Sequence, residues 1–444
     1  MNSVKKIITC LMMGLCYGLS AQTSYSLAEC IDFTLEHHPS MGIFENNEGI
    51  ARAQTTQSIA GYLPQVNGSA NFTDNLKLQT TVLPAGIFGP QPAEVQFGTQ
   101  YNTVVGVDFN QTIYDQSKII GIQAGKPYEA MTGLQQELNK ETLIYNTAIA
   151  YFQVLILREQ RSILESNKHK FEELVLTLTN QQKQGVVLSK EVDRLKVSLS
   201  TTNYQLEDVV RKEQLAVNSL KNAMGMALDQ SLTIREDLDY ESFASFQMRN
   251  ELAIESLTSF KINEQQIALQ EINVKMQRAK YLPSLNFVGR YAYQSLNNDF
   301  DQAFSDWNNF SYIGLGLKVP IFSGLGRYSK LHEEQLILEN DRSNFLLNQR
   351  NMELNFENAS VSVGTSYASF KSNWDNLNLA KELLEVTEYQ YKQGAVGLID
   401  FLNDDTAYKN AQSNYVNSLY NLMISQLNYQ KAQGTLMEFI DTLK

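Results

Sequence analysis

Gly61-Tyr62-Leu63-Pro64-Gln65-Val66-Asn67 and Lys280-Tyr281-Leu282-Pro283-Ser284-Leu285-Asn286 are near-copies of one segment, and each opens a run in which apolar and polar residues alternate. Two further pairs follow in the same order. Ile113-Tyr114-Asp115 matches Ile321-Phe322-Ser323, and Lys183-Gln184-Gly185 matches Lys392-Gln393-Gly394. The chain is therefore read as an internal duplication, which decides its architecture. The offset between copies is nearly equal at the second and third landmarks and longer at the first. Copy one thus carries a longer loop, placed at the Pro- and Gly-rich residues 83–92.

Outward from these landmarks, each copy reads helix, two strands, very long helix, tight break, long helix. After Pro64, Val66, Gly68, Ala70 and Phe72 share one face, and Asn67, Ser69, Asn71 and Thr73 the other. The return strand sets Tyr101, Thr103, Val105, Val107 and Phe109 against Asn102, Gly106, Asp108 and Asn110. Copy two repeats this with Leu285, Phe287, Tyr291 and Tyr293 against Asn286, Arg290 and Gln294. Its return strand sets Ile313, Leu315, Leu317 and Val319 against Gly314, Gly316 and Lys318. A two-residue period over about ten residues, with one apolar and one wet face, fits a membrane-spanning strand with a polar interior. A soluble sheet with one solvated face gives the same alternation.

The helical parts follow another period. Leu143, Ala150, Leu157, Leu164, Phe171 and Leu178 recur at seven-residue steps, as do Val192, Leu199 and Leu206, with Leu220 two steps on. In copy two Phe356, Val363, Phe370, Leu377, Leu384 and Tyr391 keep the step, then Phe401, Tyr408, Tyr415, Leu422 and Tyr429. Such a period is that of helices packed side by side as coiled coils. A helix over 116–182 would be roughly 100 Å long at ~1.5 Å per residue. Pro127, two residues after Gly125, is expected to bend it. Arg161 and Lys168 interrupt the apolar positions and predict a loose or partly wet seam.

The boundaries expected are a first helix at 22–61, a β-hairpin at 62–114, a long helix pair at 115–226 and a connector at 227–248. The second copy gives a helix at 249–280, a hairpin at 281–322, a helix pair at 323–434 and a tail at 435–444. Residues 1–21 read as a secretory signal peptide: Lys5 and Lys6 precede an apolar stretch ending near Ala21. Cys10 and Cys16 lie within it, so Cys30 has no partner for a disulfide. Composition narrows the class further. With 444 residues, 19% charged and a net charge of −12, the chain lacks a basic face for nucleic acid. It also lacks the 18 or so consecutive apolar residues of a transmembrane helix.

Four strands per chain cannot close a membrane barrel, which takes at least about eight. Closure therefore needs several copies. Three would give a twelve-stranded barrel on a twelve-helix tube, and geometry alone leaves two or four open.

Over essentially the whole mature chain the sequence resembles the TolC-type outer-membrane efflux proteins. The resemblance is carried by Ser26-Leu27-Ala28-Glu29-Cys30-Ile31 through Pro39-Ser40, and by the doubled strand entry at Tyr62, Pro64, Tyr281 and Pro283. It is strongest at Tyr391-Lys392-Gln393-Gly394-Ala395-Val396-Gly397-Leu398-Ile399-Asp400-Phe401-Leu402, then at Ser425-Gln426-Leu427-Asn428-Tyr429 and Gly434-Thr435-Leu436. It implies a homotrimer in outer-membrane lipid, mainly α with a membrane β-barrel part continued by a coiled-coil tunnel. It further implies a periplasmic adaptor and an inner-membrane pump as partners.

The resemblance also places an acidic periplasmic constriction at Asp400, with Asn403 at the second such position and Asp404 just after it. Asp400 as a plain helix cap is the competing reading. Glu191 falls where the family has a carboxylate that pairs with a basic residue, but Val396 occupies the basic position, so that latch is in doubt. Gly185 and Gly394 are expected to be left-handed helix ends. The tips, with Val187, Ser189, Val396 and Gly397, are the expected adaptor-docking turns.

No enzyme is expected. His332-Glu333-Glu334-Gln335-Leu336 opens like a zinc helix but ends in Leu, and adjacent His37 and His38 share no helix face. Asp404-Asp405 reads as an ordinary exposed acidic pair. No metal, cofactor or catalytic residue is assigned. The competing function is a periplasmic coiled-coil scaffold with a small soluble sheet.

Overall fold

The structure, a computed structural model, describes residues 24–86, 89–235 and 251–442. The expected signal peptide, part of the 83–92 loop and residues 236–248 of the expected connector lie outside the described residues. Copy one contains β1 Ser24–Tyr25, α1 Leu27–His37, α2 Pro39–Ala60, β2 Gln65–Asp74, β3 Thr80–Leu83, β4 Ala93–Gln96, β5 Tyr101–Tyr114, α3 Gln116–Gln123, α4 Gly125–Lys183 and α5 Ser189–Met224. After β6 Thr233–Ile234, copy two contains α6 Thr258–Ala279, β7 Ser284–Asn297, β8 Asn308–Lys318, α7 Gly326–Lys392, α8 Leu398–Gln433 and α9 Leu436–Thr442. The chain forms two compact units. One takes residues up to Asn46, Leu134–Lys261 and Leu347 onward; the other takes Asn47–Gly133 and Ile262–Leu346.

The second unit holds an antiparallel sheet of order β2-β5-β7-β8. Its register puts Asn67, Asp108, Arg290 and Tyr312 in one cross-strand row and Ser69, Gly106, Ala292 and Phe310 in the next, both on the same face. The other face carries Val66, Phe109, Gly289 and Ile313 in one row, with the exposed side chains of Val107, Tyr291, Leu315 and Leu317 in rows parallel to it. The alternation read from sequence thus holds, except at the start of β8. There Phe310 and Tyr312 join the polar face, and Asn309 and Ser311 the apolar one.

On the polar face Asp108 accepts from Ser69 Oγ at 3.1 Å and lies 3.6 Å from Arg290 Nε. Gly106 is required by space: a Cβ there would sit 2.6 Å from Ala292 Cβ and 2.9 Å from the Tyr291 carbonyl oxygen. Thr103, expected on the apolar face, is buried and donates to the Ala303 carbonyl at 2.8 Å.

Two sequence expectations are corrected in this unit. Between residues 62 and 114 there are four strands rather than two, because β3 and β4 pair as a small separate hairpin. The single helix expected over 116–182 is two, broken at Ala124. Pro127 falls in the first turn of α4, where a missing N–H costs nothing. Gly125 at the break leaves room for Thr55, whose Cγ2 would lie 2.4 Å from an added Cβ.

The first unit is built from α1, α5, α8, α9, most of α4 and the later part of α7. Most seven-step positions are core: Leu157, Phe171, Leu178, Phe356, Val363, Phe370, Phe401, Tyr415, Leu422 and Tyr429 are all buried. The seam is polar where Arg161 interrupts it, but not loose. Glu213 of α5 takes Arg158 Nε at 3.0 Å and an Arg161 guanidinium nitrogen at 2.7 Å. The 435–444 tail is not passive, since Leu436, Phe439 and Ile440 of α9 are buried in the same core as α1.

Helix α1 opens with a capping box, in which Ser26 Oγ accepts from Glu29 N–H at 3.3 Å and Glu29 accepts from Ser26 N–H at 2.7 Å. Arg235 adds a bidentate pair to Glu29 at 2.9 and 3.0 Å. The Ser26 N–H bond, with Arg235 beside it, holds the Glu29 carboxyl below its usual range. A depressed carboxyl contributes stability above its unfolded pKa and loses it as pH falls through the folded one. Acidification into and below the ordinary carboxylate range should therefore loosen the α1 start. Hydrogen exchange at Ser26 to Ile31, corrected for intrinsic rates, should show protection lost below about pH 4, and Glu29→Gln should show that loss already at pH 7.

Candidate functional site

Both hairpin tips of the first unit end their rising helices in the same way. Gly185 and Gly394 have φ of +75° and +74°. Val186 N–H reaches Gln181 O at 3.0 Å and Gly185 N–H reaches Gln182 O at 3.0 Å; Ala395 to Gln390 and Gly394 to Tyr391 repeat this at 2.9 Å each. These paired bonds form the Schellman turn, whose left-handed residue is glycine because a Cβ would be strained there. Val187 packs on a tip core of Phe171, Leu178, Val192, Leu195, Leu398 and Phe401. Ser189 Oγ donates to Asp193 at 3.4 Å. Val396 is half-buried and Gly397 is the N-cap of α8.

Asp400 is exposed and its Oδ2 accepts from Gly397 N–H at 3.3 Å, the half of a capping box that a glycine N-cap permits. Within one chain it therefore does what the competing reading expects. Asn403 is exposed beside it. Asp404 turns elsewhere and accepts from Thr387 Oγ1 on α7 at 2.6 Å. Glu191, in the first turn of α5, has no cation within 4 Å among the described residues; it faces Tyr391, whose hydroxyl is pushed up first by burial and then by the Glu191 charge.

The exposed reading of Asp404-Asp405 is wrong for its second member. Asp405 is 3% exposed and pairs with Lys409 Nζ at 3.1 Å. A signal was present: Leu398, Phe401, Asp405, Gln412, Tyr415, Leu419, Leu422, Gln426, Tyr429 and Gln433 are all buried and step by three and four along α8, with half-buried Tyr408 bridging the seven-residue step from Asp405 to Gln412. The seven-residue apolar series covers only one of the two interleaved core positions, and the other is partly polar.

The strand entry of copy one is tied by side chains. Tyr62 OH donates to Ile113 O at 2.7 Å, Gln111 Nε2 to Tyr62 O at 3.1 Å, and Lys118 Nζ to Gly61 O at 3.0 Å. Pro64 and Pro283 precede the first residues of β2 and β7, and Tyr281 is exposed.

A family model for outer membrane efflux proteins matches residues 31–226 and 251–435, one stretch for each copy. The outer membrane protein TolC of Vibrio cholerae serotype O1 is 24% identical over 439 residues, covering 94% of this chain and 93% of its own. Among solved structures, that of CusC superposes with a TM-score of 0.77 at 15% identity, covering 92% of this chain and 91% of its own. The Campylobacter jejuni CmeC outer membrane channel gives 0.73 at 17%, covering 94% and 89%. These structures share the fold. Like its relatives, the chain is an outer-membrane protein. The chain belongs to the outer membrane efflux protein family, a class of channels rather than of enzymes.

Proposed function

We propose that three copies of the chain close into one twelve-stranded barrel and act as a passive exit duct across the outer membrane. The observation that carries this is the sheet itself. Strands β2 and β8 are its edges, each with an unpaired row of backbone groups, on a sheet whose face is apolar. Such edges are not viable in lipid until another strand covers them. A second unpartnered surface supports the same assembly: Leu347, Leu354 and Val361 of α7 stand exposed at seven-residue steps, the spacing of a coiled-coil seam awaiting a helix.

The duct takes cargo from an inner-membrane pump through a periplasmic adaptor, in efflux or in type I secretion. The two glycine turns present the tips to the adaptor, and no catalytic step belongs to this chain. In the trimer three Asp400 carboxylates ring the periplasmic entrance and favour cations, while each also caps its own helix. The half-buried Asp404, held by Thr387, adds less to that ring.

Light scattering on protein extracted from the outer-membrane fraction, with detergent mass subtracted, should return about three mature chains. A monomer released without detergent would overturn the reading. In planar bilayers Asp400→Asn should lower the cation-to-anion permeability ratio by roughly twofold or more, and an unchanged ratio removes the ring.

A further inference from the structure

Phe72, Thr103 and Ser295 form one cross-strand row on the apolar face of the sheet, at the strand ends away from the helical connections. Two of the three are polar, and both of those are buried. The chain's own segment 299–307, between β7 and β8, covers them. Its backbone carbonyls accept their hydroxyls: Ala303 O takes Thr103 Oγ1 at 2.8 Å, and Ser305 O takes Ser295 Oγ. Ala303 is fully buried. Beside these bonds the rings of Phe300 and Phe304 close on Phe72 of β2, with centres 6.2 and 5.6 Å apart, and Phe300 also meets Tyr101 of β5 at 5.6 Å. The segment is therefore a strap laid back over three strands on the apolar side of the sheet, not a turn folded over the polar side. Its own aromatic side chains stay uncovered. Phe300 is 59% exposed, Phe304 56% and Trp307 40%, while the Trp307 indole N–H donates to Phe304 O at 2.9 Å.

We propose that residues 299–307 are a membrane-interface strap, which lies at the boundary between the headgroups and acyl chains of the outer leaflet and sets the upper limit of the lipid-facing band. The proposal rests on the duct reading, in which the apolar sheet face turns to lipid. Its first support is height. From Leu285 to Ser295, β7 runs roughly 34 Å at ~3.4 Å per residue. At a strand tilt of about 40° that is roughly 25 Å across the membrane, the height of the apolar band of an outer-membrane barrel. The strap thus begins where hydrocarbon gives way to headgroups. Composition is the second support. Exposed Asp299, Asp301 and Asp306 interleave with Phe300, Phe304 and Trp307. Carboxylates are too costly in hydrocarbon, and three uncovered rings gain nothing from water, so only the boundary suits both. The third is hydrogen bonding. Acyl chains offer neither donor nor acceptor, so two hydroxyls on the lipid side and two strap carbonyls satisfy one another.

Tryptophan fluorescence tests this directly. The chain has two tryptophans, and Trp374 lies in the other compact unit against Tyr415, with ring centres 5.2 Å apart. Trp374→Phe leaves Trp307 as the only indole. The protein is reconstituted in phosphatidylcholine vesicles whose acyl chains carry bromine either near the headgroup or near the chain end. Shallow bromines should quench Trp307 roughly twofold or more, deep ones less, and aqueous iodide least. Quenching by iodide with no response to either brominated lipid overturns the strap. Leu315→Trp, in a chain that also carries Trp307→Phe and Trp374→Phe, marks the band itself and should respond most to deep bromines. If that indole responds and Trp307 does not, the strap fails and the lipid-facing sheet stands. If neither responds, the membrane reading of the sheet falls and takes the strap with it. Thr103→Val with Ser295→Ala removes both hydroxyls at nearly constant shape, and should shift Trp307 emission to the red and raise its iodide quenching roughly twofold. An unchanged spectrum overturns the part given to the hydroxyls.

Discussion

Gly106→Val abolishes assembly, and trimers should be undetectable in the outer-membrane fraction. The valine Cβ would meet Ala292 Cβ at 2.6 Å, and behind it stand the Tyr291 carbonyl at 2.9 Å and the Ala292 Cα at 3.0 Å. Two of these obstacles are backbone and cannot rotate aside. β5 and β7 must separate, which breaks the pairing that joins the two copies. Overpacking commonly costs about 1–3 kcal/mol where side chains can yield, and more is expected here because they cannot. Gly314→Ala is the control, since its Cβ would lie 3.6 Å from Val288 Cγ2, an ordinary contact. Quantifying trimer on unheated gels should show near-normal levels for Gly314→Ala and none for Gly106→Val.

Leu315→Arg should be the next most damaging change. Leu315 is exposed on the apolar sheet face, between Ile313 and Leu317. In the proposed trimer this face meets lipid, where an arginine costs about 2–4 kcal/mol at the midplane and less toward the interfaces, incurred three times. Tyr312→Arg, on the polar face opposite Arg290, should cost far less because that face meets water. Denaturant midpoints in lipid vesicles measure both. Equal effects would mean that the two faces are alike in their surroundings, which a membrane duct forbids.

Most of this architecture is legible in the sequence because it is written in periods. The doubled YLP entry gives the duplication, the two-residue period the sheet faces, and the seven-residue period the helical cores. What escapes has no period of its own. The β3–β4 hairpin lies among Pro and Gly, which mark a loop but do not reveal pairing across it. The swap at Asn309 to Tyr312 breaks an alternation that β7 keeps, and only the cross-strand register exposes it. At the tips, glycine geometry is readable from sequence, since only glycine sits easily at positive φ. The role of Asp404 is not, because its bond to Thr387 joins two helices through residues seventeen positions apart across the tip. Asp405 escapes for a different reason. A carboxylate in a coiled-coil core position is rare enough that residue type argues against burial, and the Lys409 and Lys170 that make burial tolerable lie on separate turns and helices.

The likeness of the two glycine turns has a consequence for counting. In a trimer the tips form a circle of six stations, alternating in kind. Their backbones match closely, with φ values one degree apart at the glycines, but their side chains do not: Val186-Val187-Leu188 occupies one and Ala395-Val396-Gly397 the other. A partner that recognises only the shape of the turn will occupy all six, whereas one that recognises what the turn carries will occupy three. The ratio of partner to duct in a purified complex is therefore a direct readout of which of the two it senses.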